Sequence, residues 1–265
     1  MNTAAYMPYK SISPNILVCK GQESYPGIYG TGFFVRFPPY DSVFYVTARH
    51  CILDTLPEDS EIRLIVPLES EKSKSVQFDH LMQTTVDGQR DGDIEDIAIY
   101  VVSDDTPANE HETLRERALP LQHQDDVDNL LNLSLKRRSN LRIVGYPIHD
   151  HPNCATEVDY EAGEIRIQPR GFYGKLSSDG LFPNQYCLTE MSWKEQDYRG
   201  FSGSPVIELG MNIKGDVQPL VIGVVLMATQ HLVRFISINV ICNTIAAYLV
   251  QKEHKMGNSL DPSRR

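Results

Sequence analysis

Apolar positions along most of this chain come in short runs, not in a helical stripe. The runs fall at residues 15–18, 32–37, 43–48, 62–67, 97–102, 142–145, 164–167, 185–188, 205–208, 220–227 and 233–238. They are rich in Val, Ile, Phe and Tyr, several alternate apolar with polar, and Gly and Pro punctuate them, which is the pattern of half-buried or buried strands. Many short strands separated by turns predict an all-β chain, a sandwich or barrels. Helical spacing is clear only near the end. Over residues 239–256, Val240, Ile241, Ile245, Tyr248 and Leu249 share one face, with Asn239 placed to cap the start and Lys252, His254 and Lys255 suited to the last turn. Residues 125–138 read as a short helix or a long loop, and 257–265 as a frayed tail. A polar stretch over 104–141 has few strand signals and divides the chain into two β-rich halves, each able to close as a small barrel.

Composition narrows this picture. The chain has 265 residues and is 41% hydrophobic, enough for a sizeable core and too much for a disordered chain. Its apolar runs, such as "VIGVVLMA" ending at Ala228, fall far short of the roughly 20 residues of a membrane span, so no membrane partner is expected. A formal net charge of −10 argues against nucleic acid, which needs a basic face. The N-terminus lacks a basic region followed by an apolar stretch, so it does not read as a secretory signal. The five cysteines, Cys19, Cys51, Cys154, Cys187 and Cys242, are odd in number and widely spaced. They predict neither a disulfide framework nor a zinc site, and a reducing, cytoplasmic location is the simplest reading.

Three short stretches carry candidate chemistry. "FYVTARHCIL" sets His50 just after an apolar strand. Alone, such a histidine is more often structural, but imidazole suits proton transfer near neutral pH. "DGDIEDIAIYVV" sets Asp96 directly against a buried strand, where it can turn inward and orient an imidazole; Asp93 competes for that role, and Asp91 and Glu95 read as surface charges. "GFSGSP" sets Ser202 in a tight turn. A serine hydroxyl needs a base to become a nucleophile, and the oxyanion it generates needs preorganised N–H donors. Gly200 lets the backbone approach a substrate without a Cβ, and Gly203 relieves crowding behind the serine. Ser204, one residue from a proline, is the weaker second hydroxyl.

Taken together these stretches resemble the trypsin-like serine peptidases of the chymotrypsin fold, and are most similar in style to bacterial, intracellular members. "GTGFFV…VFYVTARHC" resembles the family's histidine block "TAAHC", "DIAIYVV" its aspartate block, and "GFSGSPV" its serine block "GDSGGP"; the order His, Asp, Ser is also the family's. "ALPL" at 118–121 and "RIVGYP" at 142–147 are similar to segments that open the second barrel.

The resemblance implies a single peptidase domain built as two six-stranded antiparallel β-barrels with the site between them. The first would span about residues 12–104, the second about 118–238, and a C-terminal α-helix 239–256. It implies His50 as general base, Asp96 as its orienting partner, Ser202 as nucleophile, and the N–H groups of Gly200 and Ser202 as the oxyanion hole. No metal or cofactor is implied. Gln196, followed by Asp197, would lie at the base of the substrate pocket. Leu226, Met227 and Ala228 would form one wall, which holds substrate backbone by strand addition. Two placements stay open for Arg234: solvated, the commoner fate of an arginine, or facing the pocket as its alternation with Ile236 permits, where it would favour an acidic side chain.

Two departures from the family matter. Phe201 stands where secreted members carry the aspartate that a new N-terminus orders, so the site must be constitutive or switched by another route, such as a regulatory protein partner. Cys51 follows the histidine, but its usual disulfide partner near Gly30 is absent. The expected function is an intracellular serine endopeptidase acting on protein or peptide substrates. The alternative is an inactive trypsin-like domain that binds protein.

Overall fold

The computed structural model of the chain describes residues 8–19, 27–52, 60–66, 74–84, 96–121, 124–148, 156–159, 164–177, 180, 183–195, 197–211, 215 and 217–259. It is mostly β, in two large sheets and a separate hairpin, with a long C-terminal helix.

The first half forms one eight-stranded sheet. Its strands are β1 (Ile12–Cys19), β2 (Gly27–Arg36), β3 (Val43–Ala48), β4 (Ser60–Val66), β5 (Lys74–Ser75), β6 (Phe78–Gln83), β7 (Ile97–Val102) and β8 (Leu119–Pro120). They run in the order β5-β4-β1-β2-β3-β7-β6, with β8 added to β2. Every residue of β3 is buried, as β-branched and aromatic residues at the centre of a sheet should be. Its antiparallel partner β7 is held in a register that sets Ala48 opposite Ile97. Unlike the expected six-stranded barrel, this sheet does not close among the described residues.

The second half does close. β9 (Asn140–Gly145), β12 (Arg170–Ser177), β13 (Gln185–Thr189), β14 (Pro205–Met211), β15 (Val217–Ala228) and β16 (Val233–Ser237) form a six-stranded antiparallel barrel in the order β12-β13-β16-β15-β14-β9. Closure removes the free edges that an open sheet must protect. A separate hairpin, β10 (Thr156–Asp159) with β11 (Glu164–Ile167), branches from the β9–β12 connection.

Among the described residues there are three α-helices: α1 (Ala108–Arg117), α2 (Gln124–Arg137) and α3 (Ile238–Ser259). The polar stretch between the halves is thus largely helical. In α1 only Leu114 is buried, so the helix has no apolar stripe to read. In α2, Val127, Leu131 and Ser134 are buried at helical spacing, and this segment proves to be the helix among its two readings. Asn239 does not cap α3. Ser237 does, accepting the Asn239 N–H on its Oγ at 3.3 Å, while the Asn239 side chain donates to Asp128 of α2. Lys252 lies well before the helix end and instead pairs with Asp104 at 2.9 Å. The helix also continues to Ser259, into the expected tail.

Residues 118–121 do not open the second half. β8 pairs with β2 in parallel, and the Leu121 N–H donates to the Arg36 carbonyl at 2.9 Å, so this segment belongs to the first sheet. The two halves share one continuous core that includes Phe33, Val46 and Ile99 from the first and Ile143, Val206 and Val224 from the second. No described helix is long and apolar enough to cross a membrane.

Candidate active site

His50 occupies the single 3₁₀ turn Arg49–Cys51 that ends β3, and Asp96 is the residue just before β7. Because β3 and β7 are paired, ending both strands at this edge brings the two side chains together. The Asp96 carbonyl accepts the Arg49 N–H at 2.8 Å. Its Oδ1 accepts the His50 backbone N–H at 2.9 Å and its Oδ2 lies 2.7 Å from His50 Nδ1. An ionised carboxylate can only accept, so Nδ1 carries the proton and Nε2 is left as the base. The carboxylate, with a smaller contribution from a hydrogen bond with Cys51, raises the His50 pKa well above its ordinary 6.5. Both groups remain reachable, with 38% of the His50 and 23% of the Asp96 side chain exposed. Asp91, Asp93 and Glu95 lie outside the described residues.

Ser202 comes to the same place from the barrel of the second half. One cleft of about 370 Å³ is lined by His50, Asp96, Ser202, Tyr198, Arg199, Leu226, Met227, Ala228 and Arg234. The Ser202 Oγ donates to the Leu226 carbonyl at 3.2 Å. That carbonyl is available because the β15–β16 register slips between Val225 and Met227, which frees Leu226 from the ladder. The loop is clamped to the adjoining stretch of β15: Gly203 N–H donates to the Val225 carbonyl at 2.7 Å and Val225 N–H to the Ser204 carbonyl at 2.9 Å. Ser204 is fully buried and does not line the cleft.

Both loop glycines have left-handed backbones, with φ of +92° at Gly200 and +83° at Gly203. A Cβ on Gly200 would lie 2.2 Å from the Tyr146 carbonyl oxygen; one on Gly203 would lie 2.0 Å from that of Thr31 and 2.5 Å from Thr47 Oγ1. The crowding expected behind the serine is therefore the floor of the first sheet. The Arg199 carbonyl accepts the Ile148 N–H at 2.9 Å. In a trans peptide the N–H points opposite to the C=O, so the Gly200 N–H is turned away from Ile148. Neither it nor the Ser202 N–H has an acceptor among the described residues. Two unsatisfied donors beside a serine hydroxyl can receive an oxyanion.

Phe201, together with residues that the sequence did not single out, holds this loop. Phe201 is fully buried. Its ring meets Phe172 at 5.0 Å and Trp193 at 5.2 Å between centroids, both edge to face. Tyr198 packs edge-on against Phe172 at 5.7 Å. On the other side a buried polar chain reaches in from the first sheet. The Tyr45 hydroxyl donates to Asn15 Oδ1 at 2.7 Å, and Asn15 Nδ2 donates to Thr47 Oγ1 at 3.0 Å. Thr47 Oγ1 then donates to the Thr31 carbonyl at 2.7 Å. Thr31 Oγ1 donates to the Gly200 carbonyl at 2.7 Å and accepts the Tyr146 N–H at 2.8 Å, while Thr31 N–H donates to the Ser202 carbonyl at 2.9 Å. The signal was present as Asn15, Thr31 and Thr47, polar residues inside apolar strands, but their partners are remote in sequence. Cys51 is a free buried thiol, and a Cβ on Gly30 would lie 2.5 Å from its Sγ, so a glycine stands where a disulfide partner would have to be.

The pocket expectations fare unevenly. Gln196 lies outside the described residues. Asp197 does not line the cleft; its carboxylate accepts the Arg199 N–H at 2.8 Å and the Arg199 guanidinium at 2.8 and 2.6 Å. It is neutralised by its neighbour and supplies no acidic floor. Leu226, Met227 and Ala228 do line the cleft, as does Arg234, so the solvated placement of Arg234 is set aside. Among the described residues no group of His, Cys, Asp or Glu is arranged to hold a metal ion. Comparison with known proteins adds no identity to this geometry: no protein-family model matches the chain, and no curated protein is significantly similar to it.

Proposed function

We propose that the chain is a serine endopeptidase of the trypsin-like kind. The observation that carries this reading is the shared cleft. It joins a histidine oriented by a carboxylate and a serine hydroxyl, and the adjoining Gly200 and Ser202 N–H groups have no acceptor among the described residues.

The chemistry follows from the geometry. The Ser202 hydroxyl turns from the Leu226 carbonyl toward His50 as substrate enters. Its oxygen attacks the scissile carbonyl carbon while Nε2 of His50 takes the proton. The Gly200 and Ser202 N–H groups receive the oxyanion. Asp96 stabilises the imidazolium, which passes its proton to the leaving amine. The acyl-enzyme is then hydrolysed by water through the same base. The buried Phe201 replaces a charge that would need an N-terminal partner, which supports a site assembled without proteolytic activation.

A second reading is favoured by one observation. The Ser202 hydroxyl is bonded to Leu226, not to the imidazole, as a protein-binding module with an unused triad would also permit. Labelling with a small alkyl fluorophosphonate separates the two. The peptidase reading expects covalent modification at Ser202, abolished in Ser202→Ala. An unlabelled, folded chain would favour the binding module.

A further inference from the structure

We propose that Arg234 reads a carboxylate, so that the cleft accepts Glu or Asp in the residue whose carbonyl Ser202 attacks. This rests on the peptidase reading above and supplies its substrate class.

Arg234 lies in β16 and pairs across the ladder with Met227 of β15 on one side and Cys187 of β13 on the other. Leu226, whose carbonyl contacts Ser202 Oγ, immediately precedes Met227. The guanidinium-bearing residue is thus one strand spacing, about 5 Å, from the backbone segment that adjoins the nucleophile. A substrate residue held against Leu226–Ala228 with its carbonyl at Ser202 directs its side chain into the cleft that Arg234 lines.

Arginine stays charged at any working pH and offers a planar fork of donors. Its Nε is buried with no hydrogen-bond partner, and no described acid pairs with it. Leaving such a donor unsatisfied is costly, so a ligand that satisfies it is selected. The other cation in the cleft, Arg199, is already forked onto Asp197. The acid in the cleft, Asp96, is engaged by His50. The remaining walls, Tyr198, Leu226, Met227 and Ala228, are uncharged, and a weakly polar wall strengthens a charge pair that forms beside it. Asp197, the competing determinant that would select a basic side chain, is turned away and neutralised. A chain of net charge −10 therefore keeps in the cleft beside Ser202 a cation that no acid among the described residues pairs.

The test is cleavage of a peptide library by wild-type protein, with intact mass after fluorophosphonate treatment measured in parallel. The expected result is labelling at Ser202 with cleavage after Glu or Asp. The ratio of kcat/KM for matched Glu and Gln substrates should fall about 10²-fold in Arg234→Gln. Arg234→Glu should turn the preference toward Lys or Arg, and Arg234→Lys should retain a weakened acidic preference. These are ratios and reversals of preference, so they do not depend on each variant keeping full activity. Labelling together with a wild-type preference for basic or large apolar residues overturns the Arg234 assignment alone. A ratio unchanged in Arg234→Gln does the same. Absence of labelling overturns the peptidase reading and this inference with it.

Discussion

The two sides of the cleft are held in different ways. His50 and Asp96 sit at the ends of two adjacent paired strands, and three contacts made within a few residues of that pairing fix them. The Ser202 loop is clamped to β15 at its downstream end, through Gly203 and Ser204. It is suspended between an aromatic cluster from its own barrel and a polar chain from the opposite sheet. One side is a consequence of register; the other is a consequence of packing between elements far apart in sequence. Damage to the first should therefore be chemical and local, and damage to the second should be structural and cooperative.

The largest expected effect tests the register side. Asp96→Asn keeps the shape but loses the acceptor that fixes the Nδ1–H tautomer, and kcat/KM should fall about 10⁴-fold with little change in Tm. The pH profile sharpens the point. The base must be neutral to act, so activity rises with pH as the imidazolium loses its proton. Because Asp96 raises the His50 pKa, the wild-type limb should lie above 6.5 and shift downward in the residual activity of Asp96→Asn. A limb that does not move would separate Asp96 from His50 function.

Phe201→Ala tests the packing side. It empties a fully buried aromatic site and should cost about 3–5 kcal/mol of stability, read by denaturant unfolding. Activity and unfolding should be lost together as temperature rises, unlike in Asp96→Asn. A stable, inactive Phe201→Ala would mean that the cluster tunes the loop without holding it.

Thr31→Val is the smallest change and the sharpest test of coupling between halves. It leaves the Gly200 carbonyl and the Tyr146 N–H without their side-chain partner, at about 1–3 kcal/mol. On the peptidase reading the Gly200 N–H receives the oxyanion, so fluorophosphonate labelling should slow more than substrate KM changes. Equal effects on both would assign Thr31 a purely structural role.

Legibility in the sequence follows the same divide. Residues 43–48 and 97–102 are apolar at nearly every position and become β3 and β7 at those bounds, so their ends, His50 and Asp96, could be placed. β12 went unread because Gly171 and Gly174 dilute its alternation, although Phe172, Gly174 and Leu176 face inward. α1 went unread because it buries a single leucine. β8 could be read as a segment but not assigned to its sheet, since its partner β2 lies far upstream.

What the sequence determined by itself was the β-rich class, the division into two halves, and three candidate residues in short local contexts. Backbone preference and apolar period act over a few residues, so one chain suffices to read them. What only the tertiary structure decided was the open form of the first sheet, the hold on Phe201 and Gly200, the loss of Asp197 to Arg199, and the turn of Arg234 into the cleft. Each depends on which distant group supplies a partner or leaves one missing, and that is a property of packing, with no local trace in the residues themselves.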